Sequence, residues 1–421
     1  MSSFIKDLFG KYIYDIYTST YEDIKLIFEE LNYIKLYNQH KVLKAFKKHK
    51  ISDSHFSSTT GYAYTDLGRD GIENLYCEIF NTESSLVRLQ FVNGTHAIGC
   101  ALLGNLNKYD ILFSITGSPY DTVKNIIGLN DYEQKGSLKN FGVEYLECDL
   151  KDNTFDTEFI VDTIKKNPKI KMIYIQRSRG YSLRKSLLPK EIEDIVKIIK
   201  STNKDIHIFV DNCYGEFTDI IEPTEIGIDL MAGSLIKNIG GGFAPAGGYI
   251  IGKKELVENA AYRLTVPGIG SECGASLIDL RQIYQGLFMA PNIVMEAMKT
   301  AIFTAKIFEN LNYEVYPNYK EKRSDIIQAI KFNTEEEIIN FCKEIQKNSP
   351  IDSFLECEPW DMPGYNDKVI MAAGTFVSGS SIELSCDAPI RKPYIAYLQG
   401  SLTFEHGQLA ILNSIKNLTN K

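Results

Sequence analysis

Short apolar segments alternate with amphipathic segments along the chain from about residue 86 onward. The apolar segments predict β-strands at 87–92, 111–115, 143–147, 170–175, 206–210, 229–233 and 248–251. The stretch that opens at Leu188-Pro189 has a helical spacing of apolar residues, at Ile192, Ile195, Val196 and Ile199. Strands that alternate with such helices predict an α/β fold, in which helices on both faces cover a mostly parallel sheet of these seven strands.

The two ends of the chain have other patterns. Residues 1–55 place Ile24, Ile27 and Leu31 near helical spacing, which predicts a helical arm that packs on the body of the protein or on a partner subunit. Its basic stretch at 41–50 is interpreted as a solvated helix face. We predict a large domain over residues 56–290 and a smaller α+β domain over residues 291–421.

The C-terminal half contains the remaining predicted elements. A helix over 271–306 bridges the two predicted domains, and a second, lysine-rich helix covers 333–346. Two further strands are predicted at 369–373 and 381–384. The polar segment 374–381 between them is interpreted either as a loop on the substrate side of the protein or as a plain hairpin.

One lysine, Lys237, stands between an apolar strand and the glycine-rich turn Gly240-Gly241-Gly242. Burial of an ammonium is costly, so a lysine in such a place usually has a chemical task. One such task is the formation of a Schiff base with an aldehyde cofactor. The alternative is a surface lysine in a glycine-rich hairpin.

A carboxylate, Asp211, follows the predicted strand 206–210. The carboxyl ends of the strands form the ligand-binding edge of an open α/β sheet. An acid at this edge is what a pyridoxal-phosphate enzyme needs beside the pyridine nitrogen. The alternative is that Asp211 caps a turn or a helix.

A candidate phosphate site follows the strand 87–92. The segment 93–97 reads Asn-Gly-Thr-His-Ala and leads into a helix of small and apolar residues. Gly94 allows the backbone to approach a phosphate, and the amino end of the helix offers free N–H groups and a favourable dipole. Thr95 adds a hydroxyl donor. The order of this turn, the aspartate and the lysine along the chain strengthens each of the three assignments.

These features resemble the fold type I pyridoxal-phosphate enzymes, and within them the cystathionine beta-lyase and methionine gamma-lyase branch. More closely, the chain is similar to the aluminium resistance protein family of bacterial cystathionine-lyase-like proteins. The matching segments cover nearly the whole chain past about residue 50: 61–70, 94–98, 118–122, 176–182, 211–217, 233–248, 381–385 and 397–400.

The resemblance implies how the cofactor is bound. Lys237 forms the Schiff base with pyridoxal 5'-phosphate and, once released, removes the Cα proton of the substrate. Asp211 pairs with the ring nitrogen. The residues implied to contact the phosphate are Gly94, Thr95 and Ser234, and the cofactor site also includes His96 and Tyr214.

Three further residues have roles implied by the resemblance. Tyr120, counted with the catalytic residues, stacks on the cofactor ring, or alternatively is a core tyrosine. Tyr64 and Arg69 reach the phosphate of a neighbouring subunit, which requires a homodimer or homotetramer with shared active sites. The alternative for Arg69 is a solvated charge on a loop.

The chain departs from the cystathionine-enzyme pattern at two places. Ile236 precedes the lysine where that pattern often has a hydroxyl residue, so one phosphate donor is absent. The arginine that binds the substrate carboxylate does not occur in its usual local motif. Arg391 is the first candidate for that arginine and Arg179 and Arg184 are the alternatives, since a bidentate guanidinium suits a carboxylate.

Composition narrows the class of protein further. A formal net charge of −8 argues against non-specific nucleic-acid binding. Eight cysteines without a C-x-x-C pair indicate neither a disulfide framework nor a zinc site, and six histidines show no metal-ligand spacing. Cys213 is interpreted as a small core residue rather than a nucleophile. The sequence shows no signal peptide and no membrane span, which predicts a soluble cytoplasmic protein.

The predicted function is a pyridoxal-phosphate carbon–sulfur lyase acting on an amino acid of the cystathionine or methionine type. Elimination at Cβ or Cγ would give a 2-oxo acid, ammonia and a thiol. The alternatives are a γ-replacement enzyme, an aldolase, a desulfurase or a cofactor-binding regulatory protein without turnover. A dehydrogenase is disfavoured because Gly240-Gly241-Gly242 does not open a helix after a first strand.

Overall fold

Two β-sheets organise the computed structural model, which describes residues 2–61, 65–130, 135–276, 278–362 and 367–419. The strands are β1 (Ser84–Arg88), β2 (Ile111–Ser114), β3 (Glu144–Glu147), β4 (Ile170–Gln176), β5 (His207–Asp211), β6 (Leu230–Ser234), β7 (Gly248–Gly252), β8 (Glu314–Tyr316), β9 (Gln328–Lys331), β10 (Val369–Ala372), β11 (Ser385–Pro389) and β12 (Ile395–Gln399). The α-helices are α1 (Ser2–Lys48), α2 (Leu67–Phe80), α3 (Gly94–Asn105), α4 (Asp121–Ile127), α5 (Thr157–Lys166), α6 (Pro189–Thr202), α7 (Lys254–Leu264), α8 (Arg281–Asn310), α9 (Glu335–Lys347) and α10 (Phe404–Thr419).

The larger sheet has seven strands in the order β1-β7-β6-β5-β4-β2-β3. The pairs from β6 to β3 are parallel, and β7 is antiparallel to both of its neighbours. Strands β4 and β5 are almost continuously apolar because helices cover both faces of the sheet, as expected for parallel strands. This confirms the predicted α/β fold with a mostly parallel seven-stranded sheet.

The smaller sheet has five antiparallel strands in the order β10-β11-β12-β9-β8. Helices α8 and α9 pack on it and α10 packs on these two helices, which gives the α+β arrangement predicted for the C-terminal part. Helix α8, 30 residues long, runs between the two sheets and spans the predicted domain boundary at residue 290. The division of the chain into domains therefore stays a prediction.

Helix α1 confirms the prediction that the N-terminal segment is helical. The dihedral angles of Gly10 (φ 84°, ψ 171°) interrupt it, so that two helices meet at this glycine. The longer part packs on α8 with a face that includes Ile13, Ile24, Leu31 and Val42, all of them buried. Packing of this face, rather than the weak intrinsic stability of an isolated helix, holds α1 in place.

Three predicted boundaries are wrong. The strand predicted at 87–92 ends at Arg88, because Arg88 pairs with Gly248, the first residue of β7, and no partner strand extends further. The strand predicted at 381–384 is displaced to β11, because the Glu383 carboxylate accepts hydrogen bonds from the backbone N–H groups of Phe376 (2.8 Å) and Val377 (2.9 Å) and fixes an irregular loop.

The third error concerns the helix predicted to begin at 271, which begins instead at Arg281. The preceding segment is held as a loop by Arg88, whose guanidinium donates to the carbonyl oxygens of Ser271 (2.8 Å) and Cys273 (3.3 Å). In a helix these carbonyl groups would accept hydrogen bonds from backbone N–H groups of the next turn. The contact with Arg88 therefore prevails over the helical preference of the local sequence.

A buried ion pair joins the end of β4 to the loop after β5. Arg177 Nη1 lies 3.4 Å from Glu222 Oε2, and both side chains are fully buried. The guanidinium also donates to Asn212 Oδ1 at 2.8 Å and to Ser324 Oγ at 2.7 Å. Burial raises the pKa of Glu222 and the charge of Arg177 lowers it, and the net pKa lies above the ordinary value of a glutamate. Arg177 therefore links the segment that carries Asp211 to the chain near the smaller sheet.

None of the helices in the described part of the chain is long and apolar enough to cross a bilayer.

We expect Arg177→Met to lower the free energy of unfolding by about 3–5 kcal/mol, because the substitution leaves Glu222 buried without its counter-charge. Urea unfolding followed by circular dichroism measures the effect. Lys166→Met, which removes an exposed ion pair with Asp162, is the control and should change the unfolding little. Equal stabilities for the two variants would contradict the structural role of Arg177.

Candidate active site

Residues from five segments meet in one cavity at the carboxyl edge of the larger sheet. The cavity lies where β4, β5 and β6 end, where α3 begins and where the chain enters α4 at Tyr120. It brings together most of the predicted cofactor residues: Gly94, Thr95, Tyr120, Asp211, Tyr214, Ser234 and Lys237. Gln176 and Cys213 also line it. Residues that lie up to 143 positions apart in the sequence thus share one site, as the edge of a parallel sheet predicts.

The amino end of α3 faces this cavity. Asn93 caps the helix, its Oδ1 accepting a hydrogen bond from the His96 N–H at 2.9 Å. A Cβ atom at Gly94 would lie 2.8 Å from the Cβ of Ser234, so the contact between the helix and β6 requires a glycine. The first N–H groups of a helix have no partner within it and carry the positive end of its dipole. With the hydroxyl groups of Thr95 and Ser234 beside it, this helix end is suited to an anion.

Asp211 is held at the end of β5 and is 5% exposed. Its Oδ2 accepts from the Tyr174 hydroxyl at 3.2 Å, and its Oδ1 accepts from the Cys213 N–H at 3.1 Å. These two donors fix the carboxyl group in position and leave each oxygen with further acceptor capacity. Asp211 ends a strand and caps no helix, but its hydrogen bond with the Cys213 N–H does cap the turn after β5, as the alternative interpretation expected.

Lys237 follows β6 and lies over an aromatic ring. Its Nζ is 4.0 Å from the centroid of the Tyr214 ring, a cation–π contact. Burial lowers the pKa of Lys237, but its acidic neighbours raise it more, and the net pKa lies above the usual range of a lysine. These neighbours are Cys213, Tyr214, Asp211 and Glu216. Within the described residues Lys237 makes no ion pair closer than 4 Å, so no carboxylate fixes its position.

Tyr214 belongs to a tight turn directly after β5. It has a positive φ of 72°, uncommon for a tyrosine, and its carbonyl oxygen accepts from Asn238 Nδ2 at 2.9 Å. Burial raises the pKa of the Tyr214 hydroxyl, while Lys237 and a hydrogen bond with Ser381 lower it. The turn and its partners therefore place the ring beneath Lys237.

A second acid, Glu216, is buried behind the lysine. Its Oε1 accepts from the Tyr249 hydroxyl at 2.7 Å, and its Oε2 has no hydrogen-bond partner among the described residues. Burial raises the pKa of Glu216 to about 8, against the opposing effects of Tyr249 and Lys237. An acceptor oxygen without a donor is consistent with a carboxyl group that is neutral at pH 7. Gly233 is required here, since a Cβ atom at that position would lie 2.7 Å from both Glu216 Oε1 and the Tyr249 hydroxyl.

A larger cavity of about 440 Å³ adjoins the first one. Tyr120 and Gln176 line both cavities. Gln176 Oε1 accepts from the backbone N–H of Tyr120 at 2.8 Å, and the Tyr120 ring makes an edge contact with the ring of Tyr181, centroid to centroid 5.6 Å. Tyr120 is thus at the junction of the two cavities and is only partly buried. Its ring also packs against buried apolar residues of the core, so the stacking role of Tyr120 stays a prediction.

All three arginines predicted as carboxylate ligands line the larger cavity, and they differ in their partners. Arg179 is almost fully buried and donates to the Tyr316 carbonyl oxygen at 2.7 Å. Arg184 donates to the carbonyl oxygens of Gln176 (2.7 Å) and Ser178 (2.6 Å), and burial lowers its pKa to about 10. Arg391 is 56% exposed and pairs with Asp367 at 2.8 Å. Of the three arginines, Arg391 is therefore the one that can exchange its ion-pair partner at a low cost in free energy.

One acidic residue near the site has no signal in the sequence. Asp387, in β11 of the smaller sheet, accepts from the Tyr181 hydroxyl and from Gln399 Nε2, each at 3.0 Å. Burial raises the pKa of Asp387 to about 6, although the two hydrogen bonds and Lys237 lower it. Asp387 orients Tyr181, which lines the larger cavity.

Gln176, which ends β4, is a second site residue that the sequence analysis did not single out. It lies opposite Asp211 at the end of a strand, and that position is the signal that could have identified it.

Two predicted residues lie elsewhere. His96 points away from Lys237: its Nδ1 accepts from the Val92 N–H at 3.1 Å, its ring packs on Phe91, and it lines a separate surface cavity. Arg69 is buried, with Nε 3.1 Å from Asp70 Oδ1. Tyr64 lies outside the described residues. The intersubunit roles predicted for Arg69 and Tyr64 stay predictions.

Comparisons with known proteins identify the family and the fold of the chain. The family model for methionine gamma-lyase matches residues 13–419. The protein YnbB of Bacillus subtilis is 48% identical over 400 residues, which are 95% of this chain and 94% of YnbB. The crystal structure of a carbon–sulfur lyase involved in aluminium resistance from Clostridium novyi superposes with a TM-score of 0.93 at 52% identity, covering 97% of this chain and 96% of that one. The pyridoxal-5'-phosphate-dependent protein YhfS of Escherichia coli shares the fold, with a TM-score of 0.62 at 15% identity over 92% of this chain and 97% of that one.

The fold and the site define a fold type I pyridoxal-phosphate-dependent enzyme. The chain belongs to the methionine gamma-lyase family, a family of carbon–sulfur lyases.

The family and the fold imply pyridoxal phosphate as the cofactor, and the residues of the smaller cavity fit it. The amino end of α3 and the Ser234 hydroxyl provide donors for a phosphate, and Asp211 provides a fixed carboxylate for a ring nitrogen. Lys237, which no carboxylate of the described residues holds, provides an amine for an aldehyde. The three groups line the same cavity, each with the donor or acceptor chemistry that one part of the cofactor requires.

The raised pKa of Glu216 predicts a pH-dependent stability. Between pH 4.5, the ordinary pKa of a glutamate, and about pH 8, the folded chain keeps a proton on Glu216 that the unfolded chain has lost. The contribution of Glu216 to the free energy of unfolding is therefore largest below pH 4.5 and falls by about 1.4 kcal/mol per pH unit across this window.

We expect the free energy of unfolding of the wild type to fall between pH 5.5 and pH 7.5 by on the order of 2 kcal/mol more than that of Glu216→Gln, because glutamine has no titrating proton. Urea unfolding at the two pH values measures this difference. The exposed Glu144→Gln is the control and should follow the wild type at both. A Glu216→Gln difference that does not change with pH would contradict a buried neutral carboxyl group.

Proposed function

We propose that this enzyme eliminates the sulfur group of an amino acid of the cystathionine or methionine type, giving a 2-oxo acid, ammonia and a thiol. The observation that carries the proposal is the convergence of Lys237, Asp211 and the amino end of α3 in one cavity, next to a larger cavity lined by arginines. The first cavity suits the cofactor, and the second has the volume and the charge for the rest of an amino-acid substrate.

The cofactor is pyridoxal 5'-phosphate in this proposal. When bound, it supplies an aldehyde for the substrate amine and a ring that accepts negative charge from Cα. Gly94, Thr95 and Ser234 hold its phosphate, and Asp211 holds its ring nitrogen in the protonated state. The ring of Tyr120 stacks against it, which Tyr120 can do from its position at the junction of the two cavities.

Lys237 is the base in the proposed reaction. The Cα–H bond breaks and its proton passes to Lys237 Nζ. Where sulfur is on Cβ, the electron pair left on Cα forms the Cα–Cβ double bond as the C–S bond breaks; where sulfur is on Cγ, a Cβ–H bond breaks first and its electron pair forms the Cβ–Cγ double bond. Sulfur leaves with the electron pair of the C–S bond as a thiolate, which is protonated to the thiol. Water hydrolyses the remaining unsaturated amine to the 2-oxo acid and ammonia. Asp211 is one of the charges that raise the pKa of Lys237. A cationic ring nitrogen beside Asp211 would balance the charge of Asp211. The pKa of the Lys237 amine would then lie closer to the pH at which a general base works.

Arg391 binds the substrate carboxylate in this proposal. Arg179 and Arg184 already donate to backbone carbonyl oxygens inside the protein, and breaking these hydrogen bonds would leave buried acceptors unpaired. The exposed pair of Arg391 with Asp367 is exchanged at little cost. A planar guanidinium can then form two hydrogen bonds to the carboxylate.

The enzyme is proposed to be a cytoplasmic homodimer or homotetramer that shares its active sites between subunits. Of the described residues that line the cofactor cavity, Lys237 alone is cationic. A phosphate dianion there would lack a basic partner besides the helix end. Arg69 of the partner subunit, with Tyr64 of the partner subunit, is proposed to supply that charge, as the resemblance to cystathionine enzymes implies.

We expect Lys237→Ala to lower kcat on cystathionine and methionine by about 10²–10⁴-fold or more, because the base and the covalent anchor are removed together. Release of thiol and 2-oxo acid measures the loss. Without any second nucleophile, the wild type should still release both products, which a γ-replacement enzyme would not do. The exposed Lys254→Ala is the matched control and should keep wild-type rates.

A second readout of the same variant does not depend on turnover. Borohydride reduction of the wild type should bleach its visible absorption and add the mass of the reduced cofactor to the peptide that contains Lys237. Lys237→Ala should give no such adduct, and Lys254→Ala should give it in full. An adduct on another lysine, or a wild type that takes up no pyridoxal phosphate, would refute the proposal.

We expect Arg391→Leu to raise KM by roughly tenfold to 100-fold with a much smaller change in kcat, which corresponds to the loss of about 1.5–3 kcal/mol of charge-assisted hydrogen bonding. Arg391→Lys, which keeps the charge without the planar fork, should give an intermediate KM. Steady-state kinetics on cystathionine measure both. The adjacent exposed Lys392→Leu is the control, and an Arg391→Leu enzyme with the KM of this control would exclude Arg391 as the ligand.

A further inference from the structure

The smaller sheet holds Tyr181, although Tyr181 belongs to the loop that follows β4 of the larger sheet. The Tyr181 hydroxyl donates to Asp387 Oδ2 in β11 at 3.0 Å, and the Tyr181 carbonyl oxygen accepts from the Tyr397 hydroxyl in β12 at 2.9 Å. The rings of Tyr181 and Tyr397 also pack together, with their centroids 5.0 Å apart. Two strands of the smaller sheet therefore fix both the side chain and the backbone of Tyr181.

Tyr181 in turn contacts the ring of Tyr120. The two rings meet edge to face, with their centroids 5.6 Å apart and their planes at 61°. The backbone at Gly180 adjoins the same ring, since a Cβ atom there would lie 3.5 Å from Cδ2 of Tyr120. Tyr120 lines both cavities, whereas Tyr181 lines the larger one. Because aromatic pairs have preferred geometries, a displacement of Tyr181 would displace the ring of Tyr120 at the junction of the cavities.

Asp387 holds the hydroxyl of Tyr181 with a buried carboxyl group, which is 8% exposed. Its Oδ2 accepts from both the Tyr181 hydroxyl and Gln399 Nε2, each at 3.0 Å. Hydrogen bonds from these donors favour the charged form of the carboxyl group, and burial opposes it. Burial prevails and raises the pKa of Asp387 to about 6. Above this pH the bond with Tyr181 is charge-assisted, and below it the bond is the weaker one between neutral groups.

The other ionisable groups around Asp387 do not change their charge near the same pH. Among the described residues, the groups that face or adjoin Asp387 besides Tyr181 are those of Lys237, Tyr214, Cys386 and Tyr397. Burial raises the pKa of Tyr214 and of Cys386, and it raises that of Tyr397 to about 12, so these three groups are neutral at pH 6. The pKa of Lys237 lies above the usual range of a lysine. Asp387 is therefore the group of this cluster that titrates near pH 6.

We propose that Asp387 and Tyr181 are positioning residues of the active site: Asp387 fixes Tyr181, and Tyr181 fixes the ring of Tyr120 where the two cavities meet. The inference rests on the proposed function, in which the Tyr120 ring stacks on the cofactor. Neither Asp387 nor Tyr181 gives or takes a proton in the reaction. They set the orientation of a ring that must lie parallel to another ring, and this orientation is what the smaller sheet contributes to the site.

A plain brace between the two sheets is the other role that these contacts could have. Such a brace is already present in the same loop, because Arg177 donates to Ser324 Oγ at 2.7 Å and the Arg179 N–H donates to Asp325 Oδ2 at 3.0 Å. These bonds join the loop to the segment before β9 without the hydroxyl of Tyr181. The Tyr181 side chain lies instead at the wall of the larger cavity, where its bond orients a ring of the site.

Steady-state kinetics on cystathionine test the pair. Tyr181→Phe, which keeps the ring and removes the hydroxyl, and Asp387→Asn, which removes the charge, should each lower kcat by roughly tenfold with a smaller change in KM. The double variant should lose no more than either single variant, because the two residues act through one bond. Tyr262→Phe removes a surface bond of the same kind, from the Tyr262 hydroxyl to Glu258 at 2.9 Å, and should keep the wild-type kcat.

A second readout does not require turnover. Visible circular dichroism of the bound cofactor, recorded without substrate between pH 5 and pH 8, reports the orientation of the cofactor in its site. The wild type and Tyr262→Phe should show a transition near pH 6. Asp387→Asn, which has no proton to lose, and Tyr181→Phe, which does not transmit the change to Tyr120, should both lack it. Thermal unfolding of each variant separates this loss from a loss of folding.

Each outcome decides between the two roles. Additive losses of kcat in the double variant, or variants with the wild-type kcat and the wild-type transition, would mean that Asp387 and Tyr181 only join the two sheets. A wild type that shows no transition near pH 6 would overturn the positioning role by itself. A wild type that binds pyridoxal phosphate and shows the transition but releases no thiol would refute the proposed function and leave the positioning of Tyr120 intact.

Discussion

The parallel pairing of β4, β5 and β6 is the constraint on which the rest of the structure depends. In the register of these strands Gln176 lies opposite Asp211, and Asp211 lies opposite Ala232, so all three strands end at one edge. Lys237 follows that edge directly. Parallel strands require covering helices, and the amino end of α3 comes to the same edge for this reason. The anion site, the carboxylate and the amine are therefore consequences of a single topology.

Electrostatics at this edge depends on which acids stay charged when buried. Asp211 has donors on both oxygens, whereas Glu216 has one donor for two oxygens and a pKa raised to about 8. Burial favours the neutral form of Glu216, which has a single donor. Asp211, fixed by donors on both oxygens, is the acid that suits the role proposed beside the ring nitrogen.

Local patterns were enough for the elements and for the central residues of the site. Seven apolar segments predicted the seven strands of the larger sheet, and Asp211 and Lys237 were predicted as site residues from their places near strand ends, which the structure brings to one cavity. Boundaries failed where a side chain from elsewhere intervened, as Arg88 did before α8 and as Glu383 did before β11. His96 was predicted from its place in the Gly94–Ala97 segment, but its ring bonds to Val92 N–H and leaves the cavity.

The sequence by itself determined the succession of strands and helices along the chain and the chemical types at the strand ends, because these follow from periodicity and from neighbours a few residues apart. Tertiary structure alone decided which arginine is free, since Arg179, Arg184 and Arg391 differ only in the partners that distant segments supply. It also brought Asp387 to Tyr181 across 206 positions of the chain. Such contacts depend on how two sheets pack, and that packing is a property of the whole fold rather than of any short segment.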